Sequence, residues 1–172
     1  MRKPNVIFIL ADDMGYGDFS AFNPALDSTR ALDRLVAEGV TLSNCHASSP
    51  VCAPARASIM TGKYPQRCGV IDTLEARGLD RLKLSETTVG EIFKQNGYAT
   101  ALIGKWHLGA IDPQYHPVRR GFDHFVGFRG GWNYYFDYTY ERGEQRVAGE
   151  GVYMTDLWSE EAVSYKIGRA HV

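Results

Sequence analysis

An unbroken apolar run, Val6-Ile7-Phe8-Ile9-Leu10-Ala11, opens the chain and stops abruptly at Asp12-Asp13. A run of strand formers without alternation predicts a buried strand covered on both faces. The polar, glycine-punctuated stretch from Asp12 to Asp18 follows as a loop. Between Ala31 and Glu38 the apolar residues Ala31, Leu32, Leu35 and Val36 share one helical face, with Ser28 or Thr29 as cap and Gly39 as stop. Val40 to His46 alternates as a second strand. A helix from about Pro54 to Thr61 accepts its proline in the first turn and ends at Gly62. Thr88 and Glu91 have the spacing of a capping box at the head of a helix to Asn96, closed by Gly97. Tyr98 to Ile103 reads as a third strand and runs into Gly104-Lys105-Trp106-His107.

This order of strand, helix, strand, helix, helix, strand predicts an α/β fold with a mostly parallel sheet. The three strands lead to three polar clusters: Asp12-Asp13, Cys52 and Lys105-His107. Ligands of such sheets bind beyond the carboxyl ends of the strands, so the three clusters point to one site. Residues 111 to 155 are less regular. A hairpin is expected from Phe136 to Val147 with its turn at Arg142-Gly143, and a last helix from Thr155 or Asp156 to about Ile167.

The chain's 172 residues suffice for one domain with a sizeable core. A formal charge of −1 leaves no basic stripe to neutralise phosphates, which argues against a nucleic-acid partner. Three cysteines, Cys45, Cys52 and Cys68, cannot all pair internally, so at least one thiol is left for chemistry or modification. No apolar run approaches the roughly 20 residues of a transmembrane helix. Arg2 and Lys3 imitate the start of a signal peptide, but the apolar stretch after them is too short and no cleavage site follows. The sequence as it stands reads as cytoplasmic, and equally as a mature exported chain.

Several residues carry candidate chemistry. Adjacent carboxylates at Asp12 and Asp13 suit a hard divalent ion, calcium or magnesium; the alternative is a solvated loop or a helix cap. Asp18 is a weaker third candidate. Cys52 precedes a predicted helix, where free amides and the dipole favour a thiolate or a bound anion. Arg56 lies one turn on and can pair with that anion; the alternative is a buried cysteine beside a surface arginine. Lys105 and His107, two apart in extended chain, face the same way and can hold an anionic oxygen and move a proton, with Trp106 packing on the other side. His46, His116, His124 and His171 have no partner legible in the sequence, and His46 is read as structural. Trp132, Tyr134 and Tyr135 suit stacking on an aryl or sugar ring and suit a core or scaffold equally.

Cys52-Ala53-Pro54-Ala55-Arg56, followed by Thr61-Gly62, resembles the signature of type I sulfatases. Gly97-Tyr98-Ala99-Thr100 and Gly104-Lys105-Trp106-His107-Leu108-Gly109 are similar to that family's second signature, and Asn5 to Asp18 to its opening strand with the aspartate pair. Gly121-Phe122-Asp123 and Tyr153-Met154-Thr155-Asp156 also match family segments. The resemblance spans essentially the whole chain. Ala55 stands where serine is commoner, and Thr29-Arg30-Ala31 departs from a frequent Thr-Pro-Asn.

The resemblance implies an alkaline-phosphatase-like α/β fold, mostly parallel and here incomplete. It implies sulfate-ester hydrolysis with Cys52 oxidised to formylglycine by a separate formylglycine-generating enzyme. Calcium, or magnesium, would sit on Asp12, Asp13 and the modified residue 52. One hydroxyl of the hydrated aldehyde would attack sulfur. Arg56 would hold the modified side chain, Lys105 would bind sulfate oxygens, and His107 would help deprotonate the second hydroxyl to release sulfate. The substrate would be a small-molecule or carbohydrate sulfate ester.

Family members have several hundred residues and take further metal and substrate ligands from later segments. Residues 1–172 are therefore expected to be the N-terminal part of a sulfatase catalytic domain, with little or no turnover alone and with exposed strand edges that invite self-association. Two alternatives stand beside this reading: a phosphate or phosphonate monoester hydrolase of the same superfamily, and a nonenzymatic remnant. A thiol hydrolase or redox protein using Cys52 is a third, without a Cys-x-x-Cys pair to support it.

Overall fold

A computed structural model describes residues 3–169. The chain divides into two compact units, one up to His46 and one from Ala47 onward.

In the first unit, helix α1 spans Arg30–Glu38. Thr29 precedes it, but its hydroxyl caps no helix amide. It accepts from Ser20 N at 2.8 Å and donates to Asp33 at 2.9 Å. Ser20 Oγ and Ala21 N also donate to Asp33. These bonds, that from Ser20 foremost, hold the Asp33 carboxyl below its ordinary pKa against an opposing desolvation. A short 3₁₀ turn covers Tyr16–Asp18.

The expected strands at 6–11 and 40–46 are extended or irregular chain without a ladder partner among the described residues. Ile9 is 73% exposed and Val40 is 91% exposed. The apolar pattern states a capacity for pairing, but a strand exists only where a neighbour supplies the other half of its hydrogen bonds.

The second unit holds α2 (Cys52–Thr61), α3 (Pro65–Cys68), α4 (Val89–Gln95), β1 (Ala101–Lys105), β2 (His124–Phe128), β3 (Thr139–Arg142), β4 (Gln145–Ala148) and α5 (Met154–Arg169). The four strands form one sheet in the order β1-β2-β3-β4. β1 and β2 are parallel, with Ala101 opposite His124 and Lys105 opposite Phe128. β2–β3 and β3–β4 are antiparallel. The α/β class therefore stands, with a mixed sheet flanked by helices.

Alternation along the strands sends side chains to two apolar clusters. One gathers Leu102 and Phe125 with Ala53, Ala57, Cys68, Val70, Leu82, Trp106, Leu108 and Phe122. The other gathers Val126, Tyr138, Tyr140 and Met154, with Leu157 and Trp158 of α5 packed on it. The hairpin forms close to where its turn residues predict, with Arg142 opposite Gln145.

The capping box of α4 is realised. Thr88 Oγ1 accepts from Glu91 N at 3.2 Å, and the Glu91 carboxylate accepts from Thr88 N at 2.7 Å. The fully buried Thr88 hydroxyl also donates to Arg120 O at 2.7 Å. The Gly121-Phe122-Asp123 segment forms a latch at the start of the parallel pair. Asp123 accepts from Thr100 N at 3.1 Å, and Thr100 Oγ1 donates to Gly121 O at 2.7 Å. His124 N and Asp123 N both donate to Thr100 O. Lys94 pairs with Asp123 at 2.6 Å and is the main cause of its lowered pKa.

Candidate active site

Helix α2 begins at Cys52, two residues earlier than proline placement predicts. Val51 is extended, and its carbonyl accepts the first helical bond, from Ala55 N at 3.1 Å. Pro54 sits third in the helix, where a missing N–H breaks no intrahelical bond. Cys52 is thus in the first turn, with amides at the helix start not consumed by the helix. Its thiol is half-buried and unpaired in any disulfide. Cys45 is exposed and Cys68 buried, both also free thiols. The helix stops at Gly62, left-handed at φ 68°, whose N–H bonds Ser58 O.

Arg56 lies one turn from Cys52 on the same helix face. Its Nη1 donates to the main-chain carbonyl of Lys105 at 2.6 Å. The two family-like segments, one heading α2 and one ending β1, are joined by this bond. Lys105 is the last residue of β1, which runs two residues further than the expected strand.

His107 corrects one expectation. Its φ is 55°, so the chain after Trp106 is not extended and the two-residue alternation with Lys105 does not hold. His107 N bonds Arg129 O at 3.1 Å, and the residue is only 2% exposed. Nε2 lies 3.3 Å from Thr73 O and 3.7 Å from Glu75 Oε1. Nδ1 is buried and without a hydrogen-bond partner. Burial pushes the His107 pKa down from its ordinary value, and the positive charge of Lys105 adds to this. The Thr73 carbonyl, Glu75 and Asp80 oppose it without overcoming it. Trp106 is buried edge-on to Phe122, with Nε1 donating to Tyr115 O at 2.8 Å.

Glu75 and Asp80 are neighbours of His107 that the sequence does not mark. Glu75 Oε1 accepts from Gly131 N in a short hydrogen bond. A Cβ on Gly131 would stand 2.6 Å from His107 Cε1. Asp80 is 1% exposed and accepts from Ala110 N at 3.3 Å, while its Oδ1 has no partner. Both acids come from an irregular stretch without hydrophobic period, ordered locally by a 3₁₀ turn at Glu75–Arg77 and by turn bonds such as Arg81 N to Gly78 O.

Asp12 and Asp13 belong to the first unit and are exposed. Asp13 has φ 60°, a left-handed conformation that aspartate tolerates better than most residues. The Asp18 carboxylate accepts from Gly15 N at 2.7 Å. The aspartate pair offers the hard oxygens that calcium or magnesium prefers. The described residues gather no group of three or more His, Cys, Asp or Glu able to hold a metal.

The other described histidines have partners of their own. His46 bonds Asn44 at 2.7 Å. His124 stacks on Tyr165 at 5.1 Å. His116 is buried, accepts from Val118 N through Nδ1 and pairs through Nε2 with Glu141 at 3.0 Å. His171 lies outside the described residues. Trp132, Tyr134 and Tyr135 are exposed, so they are not core residues.

The sulfatase family model matches residues 4–168. This chain belongs to the sulfatase family. Canine arylsulfatase G (Canis lupus familiaris) is 45% identical over 126 residues, covering 73% of this chain and 23% of that protein. Murine steryl-sulfatase (Mus musculus) is 44% identical over 140 residues, with 73% and 22% covered. The chain thus spans about a quarter of the length of these curated relatives. Among solved structures, Ps i-CgsB matches with a TM-score of 0.89 at 33% identity, covering 97% of this chain and 42% of that one. The structure of BT4656 in complex with D-glucosamine-2-N,6-O-disulfate matches with a TM-score of 0.83 at 30% identity, covering 98% and 32%. The sulfatase chain therefore has part of the alkaline-phosphatase-like fold.

Proposed function

We propose that the chain is the N-terminal part of a sulfatase catalytic domain that hydrolyses sulfate esters, consuming water and giving an alcohol and inorganic sulfate. The observation that carries this is the Arg56–Lys105 hydrogen bond, which joins the helix headed by Cys52 to the strand ending in Lys105-Trp106-His107. Family membership supports the same reading.

A formylglycine formed from Cys52 by a separate maturation enzyme would supply a hydrated aldehyde oxygen as nucleophile, and calcium a Lewis acid. Asp12 and Asp13 fit the ion in donor chemistry and would supply two of its oxygens. The other steps belong to this chain's own side chains. Lys105 holds the negative oxygens of the ester and offsets charge as the alcohol departs. Arg56 fixes the strand end that carries Lys105. His107 is neutral near pH 7. With Nε2–H donating to the Thr73 carbonyl, Nδ1 is the unprotonated nitrogen of the neutral ring.

The test is chemical. The Cys52 peptide of the protein from its natural host is expected to react with a hydrazide as an aldehyde. Cys52→Ala in that protein is expected to lose at least about 10³-fold of its turnover of an aryl sulfate. An unmodified thiol in protein that hydrolyses sulfate esters would overturn the proposed nucleophile. Preference for a phosphate monoester would overturn the proposed substrate.

A further inference from the structure

A cavity of about 310 Å³, at the small end of the range for ligand sites, opens on Glu75, a neighbour of His107. Its walls include Glu75, Arg129, Trp132, Asn133, Glu141 and Arg146. Glu75 belongs both to this wall and to the surroundings of His107, 3.7 Å from Nε2. Glu75 thus links the cavity wall to the surroundings of the proposed catalytic group.

We propose that this cavity takes the sugar ring of a sulfated saccharide, with Trp132 as its stacking wall. This rests on the sulfatase reading and names the alcohol part of its substrate. Trp132 is 72% exposed, a large apolar surface left facing water at the rim, braced edge-on by Tyr134 at 5.1 Å. The other walls are planar polar groups held in place. Asn133 donates to Thr139 O at 2.9 Å and accepts from Tyr134 N at 3.0 Å, and each of its polar atoms keeps a second bonding position. Glu141 is fixed between His116 and Arg129, both at 3.0 Å. One guanidinium nitrogen of Arg129, Nη1, has no acceptor. Arg146 stands opposite Glu141 across the β3–β4 ladder.

Hydroxyl groups both donate and accept, so a sugar satisfies carboxylates, guanidinium and carboxamide together while its apolar face stacks on indole. A steroid or a plain aryl ring would desolvate those groups and return no hydrogen bonds.

The experiment uses the protein at its natural length, with glucosamine 6-sulfate and 4-nitrophenyl sulfate as parallel substrates. Trp132→Ala and Arg146→Gln are each expected to raise KM for the sugar sulfate about tenfold, with kcat for 4-nitrophenyl sulfate within about twofold of wild type. Equal effects on both substrates, or none on either, would overturn the subsite. Equilibrium binding of the sugar sulfate, followed by calorimetry, separates this inference from the one beneath it. Protein that turns over neither ester defeats the sulfatase reading. Binding of the sugar sulfate weakened about tenfold in Trp132→Ala then still supports the cavity assignment, and unchanged or absent binding defeats it.

Discussion

The guanidinium of Arg56 reaches the main-chain carbonyl of Lys105 across 49 residues of sequence, at 2.6 Å. A charged donor on a half-buried carbonyl is a stronger contact than a neutral one, and it sets where the end of β1 meets the head of α2. Arg56→Lys keeps the charge but loses the planar fork. It is expected to cost about 1.5–3 kcal/mol. A lowered urea midpoint would show this, and an unchanged midpoint would count against the bond.

Burial makes His107 hard to protonate. Its pKa lies below the ordinary 6.5, chiefly because the imidazole is desolvated. The acid limb of kcat/KM is therefore expected below pH 6.5, with the base form active above it. The stability linkage has the same sign. The unfolded chain takes up this proton near 6.5 and the folded chain only at lower pH. The contribution is full above 6.5 and is lost as pH falls through the folded value.

Glu75 opposes the shift at His107. Glu75→Gln keeps an acceptor for Gly131 N and removes the charge. The histidine is then expected to titrate at still lower pH than in wild type. Imidazole C2 proton shifts followed by NMR across pH 4 to 8 would record it (window set roughly around the free histidine value). Movement to higher pH would contradict the assigned neighbour.

Gly131 has no room for a side chain. An alanine Cβ would fall 2.6 Å from His107 Cε1 and 2.7 Å from Nε2. Gly131→Ala is expected to displace the ring and reduce turnover by about 10²-fold. Its melting temperature should stay close to wild type, because the cost is borne by a local shift of the ring. A fully active Gly131→Ala would show that the imidazole position is not critical.

Thr88 is fully buried and serves two elements, capping α4 and donating to Arg120 O. Thr88→Ala is expected to destabilise by about 1–3 kcal/mol, and Thr88→Ser to restore most of it. Thermal unfolding of the pair decides between a hydrogen-bonding role and simple packing.

Local chemistry was legible where the chain closes its own contacts. The capping box at Thr88 and Glu91 needs only four consecutive residues, and it forms as its spacing predicts. Gly62 ends α2 for the same reason. The expected strands at 6–11 and 40–46 fail because ladder partners are not encoded in the segment itself. Val6 to Leu10 state only that burial would be favourable. The mixed sheet was not readable either, since strand direction depends on the connections rather than the apolar pattern.

Within the site, Cys52, Arg56, Lys105 and His107 stood out as motif residues, and the fold brings Arg56 to Lys105. Nothing in the pattern announced that His107 would be left-handed, which turns it away from strand alternation. Glu75 and Asp80 were silent because long-range folding, not local period, places them near the imidazole. The exposure of Trp132 was undecided in sequence, since a tryptophan among aromatics and glycines suits a core and a rim alike.

The latch between Thr100 and Asp123 acts at the opposite end of β1 from Lys105. Successive strand residues alternate between faces, so misalignment by a single position would deliver the lysine to the wrong side of the sheet. Threading of the parallel pair is thus decided upstream, by a threonine and an aspartate remote from any reacting atom. An error there would surface as a misplaced ammonium group rather than as a broken fold.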